Sequence, residues 1–347
     1  MSYEFDSVES GTPAGNAAET CAMLHLMCFA ENRDEIEAFA IDCFNDVTGM
    51  DASCFKLHDA QSKAGKETNP AKLGEELATL FENHVSDFSG YFSSLTLFVG
   101  GVSSSVREDS SKTEFCFDDL TKRAQESVKT HLEITSKKRH KAKFSDKVTD
   151  ENVSDFLGKV RIVIFKNKTD YIRSLAQESS KLFPDDEKLN RIFSEIRDTQ
   201  SRLKNKQGIE GKQIERPDAV MDFGRVLKVR DIKLLVIERL LNRDFLKNDS
   251  PISFVDYVKK HPHWEVDKDD VTEDSKNELS AQYLDKNNND AFWKLLDEIV
   301  AGFQENPNAD IEEVYNAINT QTLINCTHMN KRSHLFFIAT VKEGLKK

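Results

Sequence analysis

A set of polar residues early in the chain has the types and spacing that metal-assisted chemistry requires. Asp59, Gln61 and Lys63 occupy positions i, i+2 and i+4 of one stretch. Alternate side chains of an extended strand point to the same side, so these three would share one face. Asp42 and Asp46 share a face of the strand predicted just before it. A turn between the two strands would gather carboxylates, an amide oxygen and a lysine ammonium at one place.

Cleavage of a phosphodiester uses groups of these kinds. Hard oxygen ligands hold Mg²⁺, which draws charge from the scissile phosphate and activates a water. A lysine ammonium orients or polarises that water and neutralises developing charge. The same residues also fit a solvated strand end with outward polar side chains, so the surrounding elements must decide between the two interpretations.

The segments around these residues predict a β-hairpin between helices. In residues 37–47 and in residues 54–63, aromatic and branched side chains occupy alternate positions, as in a strand. The sequence TGMD, which is typical of a turn, separates the two segments. A first helix is predicted at residues 17–30, opened by a polar turn around Gly15 and Asn16, and a second follows Pro70. Residues 95–101 are typical of a buried strand. The predicted order is α, β, β, α, β.

Beyond this core, the sequence predicts a further strand and several helices. Residues 160–165 would complete the sheet, and residues 168–206 would form two amphipathic helices broken at Pro184. Residues 207–217 read as a connector. We therefore expect an α/β fold, with a mixed sheet flanked by helices and then a mostly α-helical domain. The expected domains are residues 1–210, with a core at about 11–165 and a helical extension to about 206, and a partner-binding or regulatory domain at 218–347.

Composition restricts the class of protein. A chain of 347 residues exceeds one domain of ordinary size, and 38% hydrophobic residues, with 23 Phe, can form a buried core. No apolar run approaches the roughly 18 residues that cross a bilayer, and the N-terminus lacks the pattern of an export signal. Six scattered cysteines fit reduced thiols. We expect a cytoplasmic protein that does not enter a membrane.

The net charge of −12 argues against a protein that coats nucleic acid through bulk electrostatics. It is compatible with a nuclease, which needs only a local basic groove and itself carries carboxylates for metal. The basic run KKRHKAK at residues 137–143 would be either a contact to the DNA backbone or a solvated loop. No GxxxxGK[ST] motif occurs, so any ATP-driven step would belong to another chain.

Asp46, followed by Gln61-Ser62-Lys63 after a strand-turn-strand, resembles the D…QxK variant of the PD-(D/E)xK restriction-endonuclease-like superfamily. More narrowly, the glycines at 11 and 15, the first helix, and DAQSK followed by KLGEELATLFENHVSDF resemble the double-stranded-DNA nuclease domain of bacterial anti-phage effectors. Those effectors include the CBASS effector nuclease and the nuclease subunit of Lamassu systems. The likeness spans residues 11–165 as a pattern and about twenty residues as a motif. The chain departs from the superfamily where Gln61 replaces an acid and where Asn45, instead of the frequent proline, precedes Asp46.

The resemblance implies a DNA endonuclease that depends on Mg²⁺, with Mn²⁺ as a substitute. Asp46 would bind the metal, Gln61 would supply an oxygen or position the attacking water, and Lys63 would polarise that nucleophile and stabilise the developing charge. A further acid would complete the metal site, and the sequence leaves open which of the candidates it is: Glu19, Glu37, Asp42 or Asp59.

The resemblance also implies restraint and partners, since a free DNase would kill the cell that makes it. We expect the effector of an anti-phage or anti-plasmid defence complex, held inactive until it is released or assembled. The implied partners are double-stranded DNA, an SMC-like ATPase, a small accessory subunit and, in the active state, further copies of the chain. A CBASS-like setting would instead place a cyclic-oligonucleotide sensor at the C-terminus. The alternative is a non-catalytic scaffold subunit that keeps the nuclease-like fold.

Overall fold

The computed structural model describes residues 2–5, 12–139, 144–176, 184–206, 208–242, 250–261 and 268–345. Gly11, the last four residues of the basic run at 137–143 and the first residue of the connector at 207–217 lie outside the described residues. The described strands are β1 (Tyr3–Glu4), β2 (Ala38–Ile41), β3 (Val47–Met50), β4 (Leu57–Lys63), β5 (Phe92–Val99), β6 (Glu114–Cys116), β7 (Arg161–Ile164), β8 (Gln213–Ile214) and β9 (Val226–Lys228).

Helices account for most of the remaining described chain. In the first 204 residues they are α1 (Pro13–Cys28), α2 (Pro70–Glu76), α3 (Ala78–Val85), α4 (Lys122–Arg139), α5 (Asp150–Lys159), α6 (Lys168–Leu175) and α7 (Asp186–Lys204). Those that follow are α8 (Val229–Leu240), α9 (Ile252–Lys260), α10 (Lys268–Leu284), α11 (Asn289–Glu305), α12 (Ile311–Ala317), α13 (Thr320–Asn325) and α14 (Lys331–Leu345).

A mixed sheet of seven strands in the order β6-β7-β5-β4-β3-β2-β9 forms the centre of the N-terminal part. Strands β2, β3 and β4 make an antiparallel meander, whereas β4, β5 and β7 run parallel. β6 and β9 close the two edges in antiparallel pairing, and β1 pairs with β8 in a separate two-stranded sheet. The prediction of an α/β fold with a mixed sheet flanked by helices and a helical C-terminal region is confirmed.

The predicted hairpin is wrong, because residues 38–63 form three strands and not two. Thr48 and Gly49, which we took for a turn, lie in the middle of β3 and pair with both neighbouring strands. A Cβ at Gly49 would lie 2.9 Å from Ile36, so this glycine allows close packing and does not mark a turn. The actual turns hold Asp42 and Cys54, with φ of 53° and 62°, in the left-handed region that short turns require.

The first two predicted helices exist, but their boundaries differ from the prediction. α1 begins at Pro13, earlier than predicted, since the Thr12 hydroxyl accepts the Gly15 amide and proline suits the first turn. The second helix starts at Pro70, with Asn69 capping the Lys72 amide, but it ends at Glu76, and α3 follows from Ala78. β5 and β7 lie where strands were predicted.

Two helical layers cover opposite faces of the sheet. On one face, residues of α2 to α5 pack on alternate residues of β5, and the buried cluster includes Leu73, Leu77, Phe81, Leu95, Leu97, Val99, Val128, Leu132 and Phe156. On the other face, the ring of Phe98 in β5 lies 5.1 Å from that of His25 in α1. The middle of α1 is buried over ten consecutive residues, which explains its nearly uniform apolar character.

The chain divides into two compact units, one of Met1–Tyr171 with Phe193–Val229 and one of Ile172–Ile192 with Arg230–Lys347. We expected the division between residues 210 and 218, but the first unit extends to Val229. The reason is that β9 pairs with β2 at the sheet edge. The described part of the second unit is helical. No helix among the described residues is long and apolar enough to cross a membrane.

Candidate functional site

The register of the meander places Asp46 against the C-terminal end of β4. Val47 pairs with Ala60 and Thr48 with Asp59, so Asp46, one residue earlier, comes opposite Gln61. In the parallel pairing with β5, Gln61 lies opposite Leu97 and Ser62 opposite Phe98. Gln61 therefore faces the α2–α5 layer and Ser62 faces α1, with Asp46 at the strand end between them.

Three hydrogen bonds from β4 hold the carboxylate of Asp46. Gln61 Nε2 donates over 2.8 Å, the Ser62 amide over 2.7 Å and the Ser62 hydroxyl over 2.8 Å, all to Oδ2. Burial raises the pKa of Asp46, while the positive charge of Lys63 and the donors of Ser62 oppose that rise. Because Oδ2 receives all these bonds, Oδ1 is left to accept a cation.

Gln61 is fixed from both ends of its amide. Its nitrogen donates to Asp46, and its oxygen accepts the hydroxyl of Thr79 on α3 over 2.9 Å. The amide oxygen thus faces Thr79 and not Asp46. Since a hydroxyl can both donate and accept, turning the amide over would keep Thr79 bonded and bring the oxygen to the Asp46 side.

Lys63 lies beside α2 at the end of β4. Its ammonium is 3.5 Å from Glu76 Oε2, and its side chain is 30% exposed. Lys72 of the same helix contacts the other oxygen of Glu76 at 2.9 Å. Glu76 therefore holds two lysines at the rim of the site, and one of them is the predicted catalytic lysine.

Glu19 and Asp42, two candidates for the further acid, are bound to buried cations. Lys204 Nζ lies 2.8 Å from Glu19 Oε1 and 3.6 Å from Asp42 Oδ1, and Arg225 Nη1 lies 3.1 Å from Asp42 Oδ2. Burial raises the pKa of Asp42 to about 6, against the lowering effect of Lys204 and Arg225. Burial and then the negative charge of Asp46 raise the pKa of Glu19, so these acids share one electrostatic neighbourhood.

Asp59, a third candidate, is fully buried among neutral donors. It accepts the Thr48 hydroxyl over 2.7 Å, the Asn83 amide over 2.8 Å and the Asn45 amide. Burial raises its pKa to about 6. Asn45 precedes Asp46 and Asn83 also donates to the Phe44 carbonyl, so Asp59 fastens the turn that carries Asp46.

Glu37, the fourth candidate, is exposed at the other end of the meander. Ala38 pairs with Met50 and Ile41 with Val47, so Glu37 lies next to the end of β3 that is remote from Asp46. Glu37 is four residue steps from Ile41, which is roughly 13 Å at the rise of a β-strand. The structure therefore does not bring Glu37 to the site.

The donor set fits a water-rich divalent cation. Within the described residues, no group of three or more His, Cys, Asp and Glu side chains is arranged to hold a metal ion. Mg²⁺, however, commonly keeps several waters and uses only one or two carboxylates. Asp46 Oδ1 and, with its amide turned over, Gln61 Oε1 supply hard oxygen ligands of that kind.

A cavity of about 680 Å³ opens in front of these residues in the first unit. Asp42, Asp46, Gln61, Lys63 and Thr79 lie on its wall, whereas Glu19 and Lys204 do not. Its lining includes seven acidic and four basic side chains, the latter being Lys63, Lys72, Arg139 and Lys147. Arg139, which belongs to the basic run 137–143, lies on the cavity wall, and its Nε is 3.4 Å from Glu82 Oε1.

Several site residues escaped the sequence analysis. Ser62 lies within the motif, and Thr79 lies in the helical segment after it. Neither was recognised, because a serine and a threonine have no characteristic spacing in a sequence. Lys204 and Arg225 follow Glu19 and Asp42 by 185 and 183 residues, respectively. No local pattern connects residues so far apart, and only the way α7 and β9 return to the sheet brings them together.

The first unit is thus an α/β sheet with a candidate metal-binding site at a strand end. No family model, curated protein or solved structure matches this chain at a significant level.

Proposed function

We propose that this chain is a metal-dependent DNA endonuclease of the restriction-endonuclease-like type. The observation that carries the proposal is the convergence of Asp46, Gln61 and Lys63 on one cavity wall. The resemblance supplies these residues, and they meet even though Asp46 lies in the turn before β3 and not on the first strand of a hairpin, as we predicted. The mixed sheet flanked by helices is compatible with that type of nuclease.

Each residue has a distinct task in the proposed reaction. Asp46 and Gln61 would hold Mg²⁺ or Mn²⁺, which when bound draws charge from the scissile phosphate and acidifies water. Ser62 fixes the orientation of Asp46, and Thr79 fixes that of Gln61. Lys63 is poised by Glu76 at the cavity, where its ammonium orients the attacking water and neutralises charge on the phosphate oxygens.

The cellular setting rests on the resemblance alone. We propose that the nuclease is the cytoplasmic effector of a bacterial anti-phage or anti-plasmid complex. Its partners would be double-stranded DNA, an SMC-like ATPase and a small accessory subunit, and the active form would contain several copies of the chain. The helical second unit would bind those partners and restrain the activity.

A scaffold subunit without catalysis is the second candidate. One observation favours it: Glu19 and Asp42 are each bound to a buried cation, so Asp46 is the acid left for a metal. The presence of Gln61 and Lys63 beside Asp46 speaks against it, since a scaffold has no need of that combination.

Cleavage of supercoiled plasmid separates the two candidates. We expect nicking or linearisation with Mg²⁺ or Mn²⁺, by the chain alone or with its co-purified partners, and none with EDTA. Asp46→Ala and Lys63→Ala should each lower the rate at least about a hundredfold, because each removes a group that acts on the reacting phosphate. Lys129→Ala, which removes an exposed lysine paired with Asp150, is the control and should cleave normally. No cleavage by the assembled wild type would favour the scaffold.

A further inference from the structure

A buried ion-pair cluster lies behind Asp46, on the α1 side of the sheet. The side chains of Lys204 and Glu19 are each only 8% exposed, and that of Arg225 is 2% exposed. Lys204 comes from the last turn of α7, Glu19 from α1 and Arg225 from the residue before β9. Three separate segments of the first unit therefore meet at this point.

The two cations do not hold the acids in the same way. Arg225 donates to the carboxylate and to the backbone carbonyl of Asp42, and a second nitrogen donates to the Lys206 carbonyl. Arg225 therefore fastens the turn at Asp42 whether or not Lys204 is present. Lys204 makes the only ion pair that the structure gives Glu19 among the described residues.

Glu19 is linked to the turn of Asp46 through Lys204, whose Nζ lies 2.8 Å from Glu19 Oε1 and 3.6 Å from Asp42 Oδ1. The Asp42 amide in turn donates to the Asp46 carbonyl over 3.0 Å. The charge of Asp46 acts on both Glu19 and Lys204. Two buried carboxylates repel each other unless a positive charge lies between or beside them, and here that charge is an ammonium. A divalent cation at Asp46 would have to compete with Lys204 for the second carboxylate.

We infer that Lys204 withholds Glu19 from the proposed metal site and so keeps the affinity of that site for divalent cations low. The inference concerns the same site as the proposed function, but it makes a claim about cation binding and not about cleavage. With Lys204 in place, Asp46 is the carboxylate offered to the cation. When the ammonium is removed, Glu19 becomes a second one.

The test is the binding of Mn²⁺ by the full-length chain. It is measured by isothermal titration calorimetry and by the loss of the electron paramagnetic resonance signal of free Mn²⁺. Lys204→Met should bind Mn²⁺ on the order of tenfold or more tightly than wild type, because removal of a nearby positive charge favours the cation. Lys206→Met is the matched control, since Lys206 donates to the Gly224 carbonyl and not to these acids. It should bind Mn²⁺ as wild type does.

A second substitution identifies the released acid. Lys204→Met with Glu19→Gln should lose the gain, because the new ligand is gone. Lys204→Met with Asp46→Asn should also lose it, which assigns the ion to this site. If Lys204→Met does not fold, Lys204→Gln removes the charge and keeps a donor for Glu19, and the same gain is expected.

The inference is overturned if the Lys204 variants bind Mn²⁺ no more tightly than wild type does. It is also overturned if no variant binds Mn²⁺ at all. A gain that survives Glu19→Gln would overturn it as well. Plasmid cleavage measured in parallel separates this outcome from the proposed function. Tighter Mn²⁺ binding without cleavage supports the role of Lys204 and rejects the nuclease. Cleavage with unchanged Mn²⁺ binding supports the nuclease and rejects the role of Lys204.

Discussion

Asp59 has a structural task, although its position in the motif made it a candidate ligand. Its carboxyl group is fully buried and receives hydrogen bonds from Thr48, Asn45 and Asn83, all of them neutral. A buried carboxylate without a cation nearby carries a desolvation cost that its hydrogen bonds only partly offset. Burial accordingly raises the pKa of Asp59 from 3.8 to about 6.

Asp59→Asn should stabilise the protein at neutral pH. The pKa of Asp59 is higher in the folded protein than in the unfolded chain. The contribution of its protonated form to stability is therefore complete below pH 3.8 and is lost as the pH rises through about 6. The amide imitates the protonated acid at every pH: its oxygen can accept from Asn45 and Asn83, and its nitrogen can donate to Thr48. We expect up to about 3 kcal/mol at pH 8 and no gain at pH 3.5, measured by urea unfolding.

Asp51→Asn provides a control of opposite sign. Burial is the largest single influence on Asp51 and raises its pKa, but the hydrogen bonds from Ser53, Lys56 and Phe55 together lower that pKa below its usual value. The stabilisation from Asp51 is therefore present at neutral pH and lost as the pH falls through its lowered pKa. Asp51→Asn should destabilise the protein at pH 8. A loss of Mn²⁺ binding in Asp59→Asn, with the fold intact, would contradict the structural task and restore Asp59 as a ligand.

At the level of the secondary-structure elements, strongly periodic segments were predictable and turns were not. The apolar runs of β5 and β7 and the proline start of α2 predicted those elements, because hydrophobic periodicity and capping are local properties. Gly49 misled the prediction, since a glycine serves equally in a turn and in a strand that packs closely. The same limit applies to the site: Gln61 and Lys63 share a strand, whereas Lys204 depends on the whole fold.

The packing of α2 against α4 allows a test with two glycines. A Cβ at Gly74 of α2 would lie 2.4 Å from the Val128 carbonyl and 2.9 Å from the Leu132 amide, so α4 would have to move. Gly74→Ala should therefore destabilise the protein by about 2 kcal/mol or more. At Gly158 of α5 a Cβ meets nothing within 4 Å, and Gly158→Ala should stabilise by up to about 1 kcal/mol. Urea midpoints measure both; equal midpoints would show that the helices separate easily.

For the whole molecule, the acidic balance would limit the approach of DNA to the proposed nuclease site. The chain carries a net charge of −12, and acidic side chains outnumber basic ones around the cavity by seven to four. Phosphates are repelled by such a surface unless a cation intervenes. Lysines at the rim are also engaged by acids, as Lys63 and Lys72 are by Glu76. In the proposed nuclease, recognition of DNA would therefore depend on the metal as well as on the protein.

DNA binding by Lys63→Ala, which we expect to be inactive in cleavage, should therefore require a divalent cation. We expect its affinity for a short duplex, measured by fluorescence anisotropy, to fall at least about tenfold when EDTA replaces Mg²⁺ at matched ionic strength, because the cavity acids then face the phosphates uncompensated. With Asp46→Asn added, Mg²⁺ should no longer matter, since the ion loses its carboxylate. Equal affinity of Lys63→Ala in Mg²⁺ and in EDTA would mean that DNA is held away from the acidic cavity, and the active-site assignment would then fail together with this prediction.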